Sequence, residues 1–354
     1  MKLFSKLLIV LGTLVILSCG NRSGTDPHLT VEEQQEELEI NLVGKWKIRR
    51  PLTPGLSNKN NIPSECSLNE IEFFDDRSYI ISVSVADEGG EELTSVFRGQ
   101  YDLMFSEENG DQIVSKIVLM GQYYTPSSSF PDTGTVATLD EIELSEIEVS
   151  FRLQYGPSTA GFCLTGEVVE LTGDKEPQVA PDAPANSNHQ LIQNEWRLVS
   201  VLASIEGGEE SQEAICGFLE DDFYNRCYNE ETGEFSQDCP QAVTTTLLIS
   251  GYGTYLFSYY DAQEALISTE QGKWRWRTDT VIPYTIFDVA GGEDSFEAAA
   301  QSIEIVSLDD ARMVLVENGE ETDANGATVA VRFQYIFQLA SLPYEGLDCG
   351  DFTE

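Results

Sequence analysis

Residues 71–85 read IEFFDDRSYIISVSV, and residues 244–259 read TTTLLISGYGTYLFSY. In the first stretch Ile71, Phe73, Tyr79, Ile81, Val83 and Val85 alternate with polar residues over much of the run. A period of two sends successive side chains to opposite faces of an extended chain, so the stretch reads as half-buried β-strand. The same alternation returns at Val149, Phe151, Leu153 and Tyr155, and at Val329, Val331, Phe333, Tyr335 and Phe337. Aromatic and β-branched residues dominate these runs, as suits a pleated surface with one face buried. Segments such as ADEGGEE (86–92) and ENGEETDANG (317–326) are rich in Gly and acids and read as turns between antiparallel neighbours. Within the two halves only FEAAAQSI (296–303) has helical character, and Val31 to Ile40, ahead of them, reads as tether or as a short helix at the domain edge. The fold class is therefore all-β, with antiparallel barrels expected and a sandwich as the alternative.

The two opening stretches fall in two halves that share ordered landmarks. Trp46, within LVGKWKI, parallels Trp196, within LIQNEWRL; Cys66 precedes the first stretch and Cys239 the second. Gly99-Gln100-Tyr101 parallels Gly272-Lys273-Trp274, and Arg152-Leu153-Gln154-Tyr155 parallels Arg332-Phe333-Gln334-Tyr335, with Cys163 and Cys349 downstream. The separation between partners never decreases along the chain, so the halves align with insertions alone, the pattern left by a duplication. Between them DKEPQVAPDAPANSNHQ (174–190) has the Pro- and Ala-rich composition of an extended linker. The reading gives one domain at 41–173 and a second at 191–354, the latter with a Cys-bearing insertion and a C-terminal tail.

The N-terminus has a different logic. Lys2 and Lys6 precede an apolar run from Leu7 to Leu17, too short for a transmembrane helix, which needs about 20 residues. Ile16-Leu17-Ser18-Cys19 resembles the lipobox of bacterial lipoproteins, in which the signal is removed before a cysteine that then carries lipid. The resemblance implies a signal peptide at 1–18, lipid attachment at Cys19 and membrane association through that lipid. Gly20 rather than Asp after the cysteine favours the outer membrane, with either face open. Residues 20–40 are polar and increasingly acidic, and read as a flexible tether.

Setting Cys19 aside leaves six cysteines, an even number suited to disulfides in an oxidising compartment. The repeat proposes Cys66 with Cys163 and Cys239 with Cys349. Cys216 and Cys227 would then close a small loop in the second-half insertion, although other pairings there stay open. A loop of about 100 residues closed by Cys66 and Cys163 is worth roughly 4–5 kcal/mol in the chain-entropy model.

The chain carries 61 acidic against 20 basic residues, a net charge of −41, which repels phosphate backbones and excludes nucleic acid as a partner. No C-x-x-C pair, no calcium loop and no nucleotide fingerprint occurs, so no metal or cofactor is expected. Asp75-Asp76, Asp221-Asp222 and Asp309-Asp310 read as turn residues. His28 and His189 fall in the predicted tether and linker, which removes histidine-based catalysis. A carboxylate-based glycosidase remains a remote alternative.

Gly44-x-Trp46 at the first strand, with a Phe-x-x-Asp-x-Ser-Tyr type second strand, resembles the lipocalin-like domains of bacterial lipoproteins. That resemblance implies eight-stranded up-and-down barrels. It also implies that a basic residue packs over the first-strand Trp to close one end: Arg152 over Trp46 and Arg332 over Trp196. Asn194 stands where the motif has Gly in the second half. Inward aromatics such as Phe73, Tyr79, Phe151, Tyr155, Tyr255, Phe257, Tyr259, Trp274, Trp276, Phe333 and Phe337 serve a filled core or a cavity equally, and a filled core is the simpler expectation. Trp274 and Trp276 share one strand face, expected inward, with an exposed sugar platform as the alternative. The function expected is non-enzymatic: a lipid-anchored protein holding a small apolar ligand in a barrel, or, as the alternative, a structural or interaction subunit of an envelope complex or an adhesin-like surface protein.

Overall fold

The computed structural model describes residues 29–49, 67–86, 92–121, 134–157, 168–205, 211–213, 228–229, 234–235, 244–261, 264, 266–291, 296, 301–322 and 328–343. It contains two closed, eight-stranded antiparallel barrels in tandem. The first runs through β1 (Gly44–Arg49), β2 (Ser67–Phe73), β3 (Ser78–Ala86), β4 (Glu92–Glu108), β5 (Asp111–Gly121), β6 (Gly134–Leu144), β7 (Glu148–Tyr155) and β8 (Val168–Lys175). Each strand pairs with the next, and β1 closes on β8 with Trp46 opposite Lys175. The second begins at β9 (Glu195–Ile205), whose edge carries β10 (Ser211–Glu213); β11 (Tyr228–Asn229) and β12 (Glu234–Phe235) form a separate ribbon. It continues through β13 (Thr244–Ile249), β14 (Thr254–Tyr260), β15 (Leu266–Trp276), β16 (Ile286–Gly291), β17 (Gln301–Leu308), β18 (Arg312–Thr322) and β19 (Thr328–Leu339), and β19 closes on β9.

The alternation read from the sequence sets the interior. Ile71, Phe73, Tyr79, Ile81, Val83, Val149, Phe151, Leu153 and Tyr155 all belong to the buried core of the first barrel. Two stretches differ from expectation. ENGEET (317–322) completes β18, and Gln301–Ile303 opens β17, because ladder pairing across the sheet outweighs local turn or helix preference.

The barrels match down to single hydrogen bonds. At the β2–β3 turn Phe74 N donates to Ser78 O (3.0 Å), Arg77 N to Phe74 O (3.2 Å) and Tyr101 N to Arg77 O (2.8 Å). At the β13–β14 turn Ser250 N donates to Thr254 O (2.8 Å), Gly253 N to Ser250 O (3.4 Å) and Trp274 N to Gly253 O (2.9 Å). Arg77 and Gly253 both have positive φ, 65° and 83°, which Gly253 adopts freely and Arg77 at a cost of about 1 kcal/mol. The Tyr101 hydroxyl donates to Phe74 O (3.0 Å) as the Trp274 indole donates to Ser250 O (2.9 Å). Tyr79 faces Gly99 across the ladder as Tyr255 faces Gly272.

One landmark slips. Arg152 lies on β7, the seventh strand of its barrel, whereas Arg332 lies on β19, the eighth of its own. Likewise Cys163 falls between the seventh and eighth strands, while Cys349 follows the eighth, so the two do not correspond strand for strand. Cys19, Cys66, Cys163, Cys216, Cys227, Cys239 and Cys349 all lie outside the described residues, and the proposed pairings with them.

The stretch read as the end of the tether is helix α1 (Val31–Leu42), started by a Thr30–Glu33 capping box. It packs against β5 and β6, with Leu38 and Leu42 in the first barrel's core and buried Gln34 accepting from Gln112 N (3.1 Å). A short α2 (Asn188–Ile192) precedes β9 in the same way. The Pro-rich segment is not a free spacer: Glu176 N donates to Lys45 O (2.8 Å) and Val179 N to Gly251 O (2.8 Å), while Val179 packs on the second core.

Charged groups join the two barrels. Arg98 of β4 forks onto Glu195 of β9 (2.9 and 3.2 Å) and also donates to the Ser258 hydroxyl (3.0 Å), while Thr246 donates to Glu195 (2.8 Å). Lys45 bonds Glu70 (2.8 Å) and the Thr254 hydroxyl (3.1 Å). Beside it Glu72 is fully buried, facing Lys45 and the Ser250 and Thr254 hydroxyls without a well-formed hydrogen bond. Desolvation pushes its carboxyl above the ordinary range, whereas for Glu195 the same burial is outweighed by Arg98, the Thr246 hydroxyl and Arg197 together, which hold it below.

Candidate functional site

The second barrel encloses a cavity of about 270 Å³. Its wall comes from inward positions of all eight strands: Leu198 on β9, Leu247 on β13, Phe257 on β14, Trp274 on β15, Phe287 on β16, Ile303 on β17, Leu315 on β18 and Phe337 on β19. Period-two alternation on every strand aims these side chains at one volume.

The floor is aromatic and tightly keyed. Trp274 meets Trp276 edge to face (centroids 5.2 Å, 89°) and Phe287 likewise (5.9 Å, 78°). Both indoles of the Trp274-Arg275-Trp276 stripe thus point inward, the expected orientation, and Arg275 lies outside against Phe296 (4.3 Å). Below them sits His189, read from the sequence as a linker residue but buried on α2. The Trp276 indole donates to His189 Nδ1 (3.0 Å), and the Gln193 amide nitrogen, which donates to His189 O (2.7 Å), lies 3.0 Å from the ring's Nε2. Burial lowers the His189 pKa, which favours the neutral ring.

The opposite end is polar. Exposed Glu270 and Gln301 and half-buried Glu317 line the cavity there. Tyr335 donates from its hydroxyl to Glu317 Oε2 (3.2 Å), and the Gln301 amide donates to the other oxygen. Burial and the adjacent negative charge of Glu317 push the Tyr335 hydroxyl far up; burial and Glu270 push Tyr255 up to about 12. Thr245 also lines the cavity at 2% exposure, and its hydroxyl has no hydrogen-bond partner. The whole is a small chamber with aromatic walls and an acidic mouth.

Trp46 and Trp196, the expected closers of the barrels, are both fully buried, and each donates to the carbonyl four residues back, Leu42 (2.8 Å) and Ile192 (3.0 Å). The cation over Trp46 is Lys175 of β8, with Nζ 5.1 Å from the ring centroid and 2.7 Å from Asn41 O. Arg152 is elsewhere: it sits on the outer face of β7, paired with Asp140 and Glu141. Arg332 likewise lies on the outer face of β19, since its neighbour Val331 and, further along, Tyr335 and Phe337 point inward. Sequence reasoning did not single out Lys175, Thr245, Glu270, Gln301 or Glu317. Thr245 lay on a stretch already read as strand, whereas Gln301 and Glu317 fell in stretches read as helical and as turn, so their inward parity emerged only with the ladders of β17 and β18. Among the described residues no group of three His, Cys, Asp or Glu could hold a metal ion.

No family model and no curated protein matches the chain. Among solved structures, a Nostoc punctiforme protein of unknown function from the DUF3598 family aligns at 11% identity, covering 86% of this chain and 98% of its own, with a TM-score of 0.20. Transferrin Binding Protein B from Haemophilus parasuis aligns at 10% identity over 84% of this chain and 58% of its own, with a TM-score of 0.18. A putative AttH from Nitrosomonas europaea gives 10%, 82% and 90%, with a TM-score of 0.13. Scores this low leave the fold resting on the chain's own strand ladders.

Proposed function

We propose that this chain is a non-enzymatic, lipid-anchored protein of the cell envelope whose second barrel holds a small, largely apolar ligand. The carrying observation is the 270 Å³ chamber bounded by Leu198, Leu247, Phe257, Trp274, Phe287 and Phe337. A packed core leaves no void of this size, because interiors reach crystal-like density and a gap forfeits dispersion contacts on every side. By scaling from an apolar cavity of about 150 Å³ that holds benzene, the chamber takes a molecule of roughly ten non-hydrogen atoms. The lipobox-like Ile16-Leu17-Ser18-Cys19 supports the anchor and the envelope location.

Calorimetric titration of the full chain with propylbenzene tests the reading. Saturable one-to-one binding is expected, and Leu315→Trp, which fills the chamber, should remove it. Equal binding by parent and filled variant would refute the assignment of the ligand to this barrel.

A further inference from the structure

The mouth of the chamber narrows the class of ligand. Resting on the second barrel being a ligand site, we infer that its occupant is a small organic cation, with an apolar and preferably aromatic body against Trp274 and Phe287 and a protonated amine toward Glu270 and Glu317. Three features carry this. Among the described residues, those lining the chamber include two carboxylates and no Lys, Arg or His, so a ligand anion would meet like charge in a partly desolvated space. Glu317 is held in place by two donors, Tyr335 and Gln301, which fix its oxygens at the rim before any ligand arrives. The walls present Tyr255, Phe257, Trp274, Phe287, Tyr335 and Phe337, whose ring faces attract a cation in addition to burying apolar surface.

At long range the net charge of −41 draws cations toward the molecule and repels anions.

Three ligands of one shape separate the alternatives: phenylpropylammonium, phenylpropanol and phenylpropanoate, titrated calorimetrically into the full chain. The cation should bind about tenfold more tightly than the alcohol, the combined effect of two modest ion-pair terms, and the carboxylate should bind most weakly. In Glu270→Gln/Glu317→Gln the ratio of cation to alcohol affinity should shrink to about twofold. Raising salt from about 0.05 to about 0.5 M on the parent chain should narrow the same gap without any substitution, since the mouth is open to screening. Equal or tighter binding of the alcohol or the carboxylate overturns the cationic assignment and leaves the ligand site standing. Failure of all three to bind overturns the site and the assignment together. Persistence of the full gap in the double variant or at high salt also overturns it, by removing the carboxylates as its cause.

Discussion

Gly99 and Gly272 occupy the same place in their two barrels, yet replacing each by Ala should have different consequences. A Cβ at Gly99 would lie 2.0 Å from Met120 O and 2.6 Å from Gly121 Cα, both backbone atoms of the paired strand β5. Ordinary contact begins near 3.4 Å, so β4 and β5 would have to part by more than 1 Å. Their hydrogen-bonded spacing is about 4.8 Å, and such a shift breaks the local ladder. The expected loss is about 3–5 kcal/mol, reduced by less than about 1 kcal/mol through the stiffer unfolded chain. A Cβ at Gly272 instead meets the Tyr255 ring first, at 2.2 Å from Cζ and 2.3 Å from the hydroxyl oxygen. A ring can turn, and beside it lies the empty chamber it already lines. Gly272→Ala should therefore cost about 1–2 kcal/mol, and the displaced ring should lower propylbenzene affinity about tenfold. Gly319→Ala, with nothing within 4 Å of the new methyl, is the control and should be neutral. Urea unfolding followed by far-ultraviolet circular dichroism measures the stability terms, and calorimetry measures the affinity. If Gly99→Ala proves no more damaging than Gly272→Ala, or if Gly272→Ala binds like the parent, the packing argument fails.

Other predictions concern the joint between the barrels and the chamber floor. A double-mutant cycle of Arg98→Met and Glu195→Gln should give a coupling of about 1–2 kcal/mol for the bidentate pair, and a value under about 0.5 kcal/mol would remove it as a docking contact. Glu72 has a folded-state pKa above its unfolded value, so its contribution is most favourable below about pH 4.5 and is lost as pH rises through the folded value. Glu72→Gln should accordingly raise stability near pH 8 and leave it unchanged near pH 4, and thermal melts showing the opposite trend would reverse the assignment. His189 is depressed by burial: the neutral ring's contribution is intact above about pH 6.5 and is lost as pH falls below it. His189→Gln should therefore flatten the acid limb of the second barrel's melting curve below about pH 6.5, and an unaltered limb would place the acid sensitivity elsewhere.

How much of this was legible in the sequence follows from the range of each interaction. Strand identity and inward face depend on a residue and its neighbours two positions away, so Tyr79, Phe151, Trp274 and Phe337 fell on the interior as their parity required. Parity also bears on the arginines: Arg152 between Phe151 and Leu153, and Arg332 between Val331 and Phe333, point outward for the same reason that their neighbours point in. Family resemblance placed them over the tryptophans, and the outer face of each strand did not permit it. Helix α1 stood only as the lesser reading of residues 31–40, because its apolar content is small and only Leu38 and Leu42 meeting the barrel end make it worth forming.

The sequence by itself determined an all-β chain of two similar halves, the faces of their strands and the aromatic character of the interior. Tertiary structure alone decided that β1 closes on β8 and β9 on β19, that Lys175 covers Trp46, and that Arg98 meets Glu195 across the two barrels. It also decided that the second barrel is hollow. A void is the difference between the space eight strands enclose and the sum of side chains pointing into it, and no local pattern carries that difference. Trp274 and Phe287 would read the same in a filled barrel; only their placement around 270 Å³ of empty space, with Glu270 and Glu317 at its mouth, makes them walls.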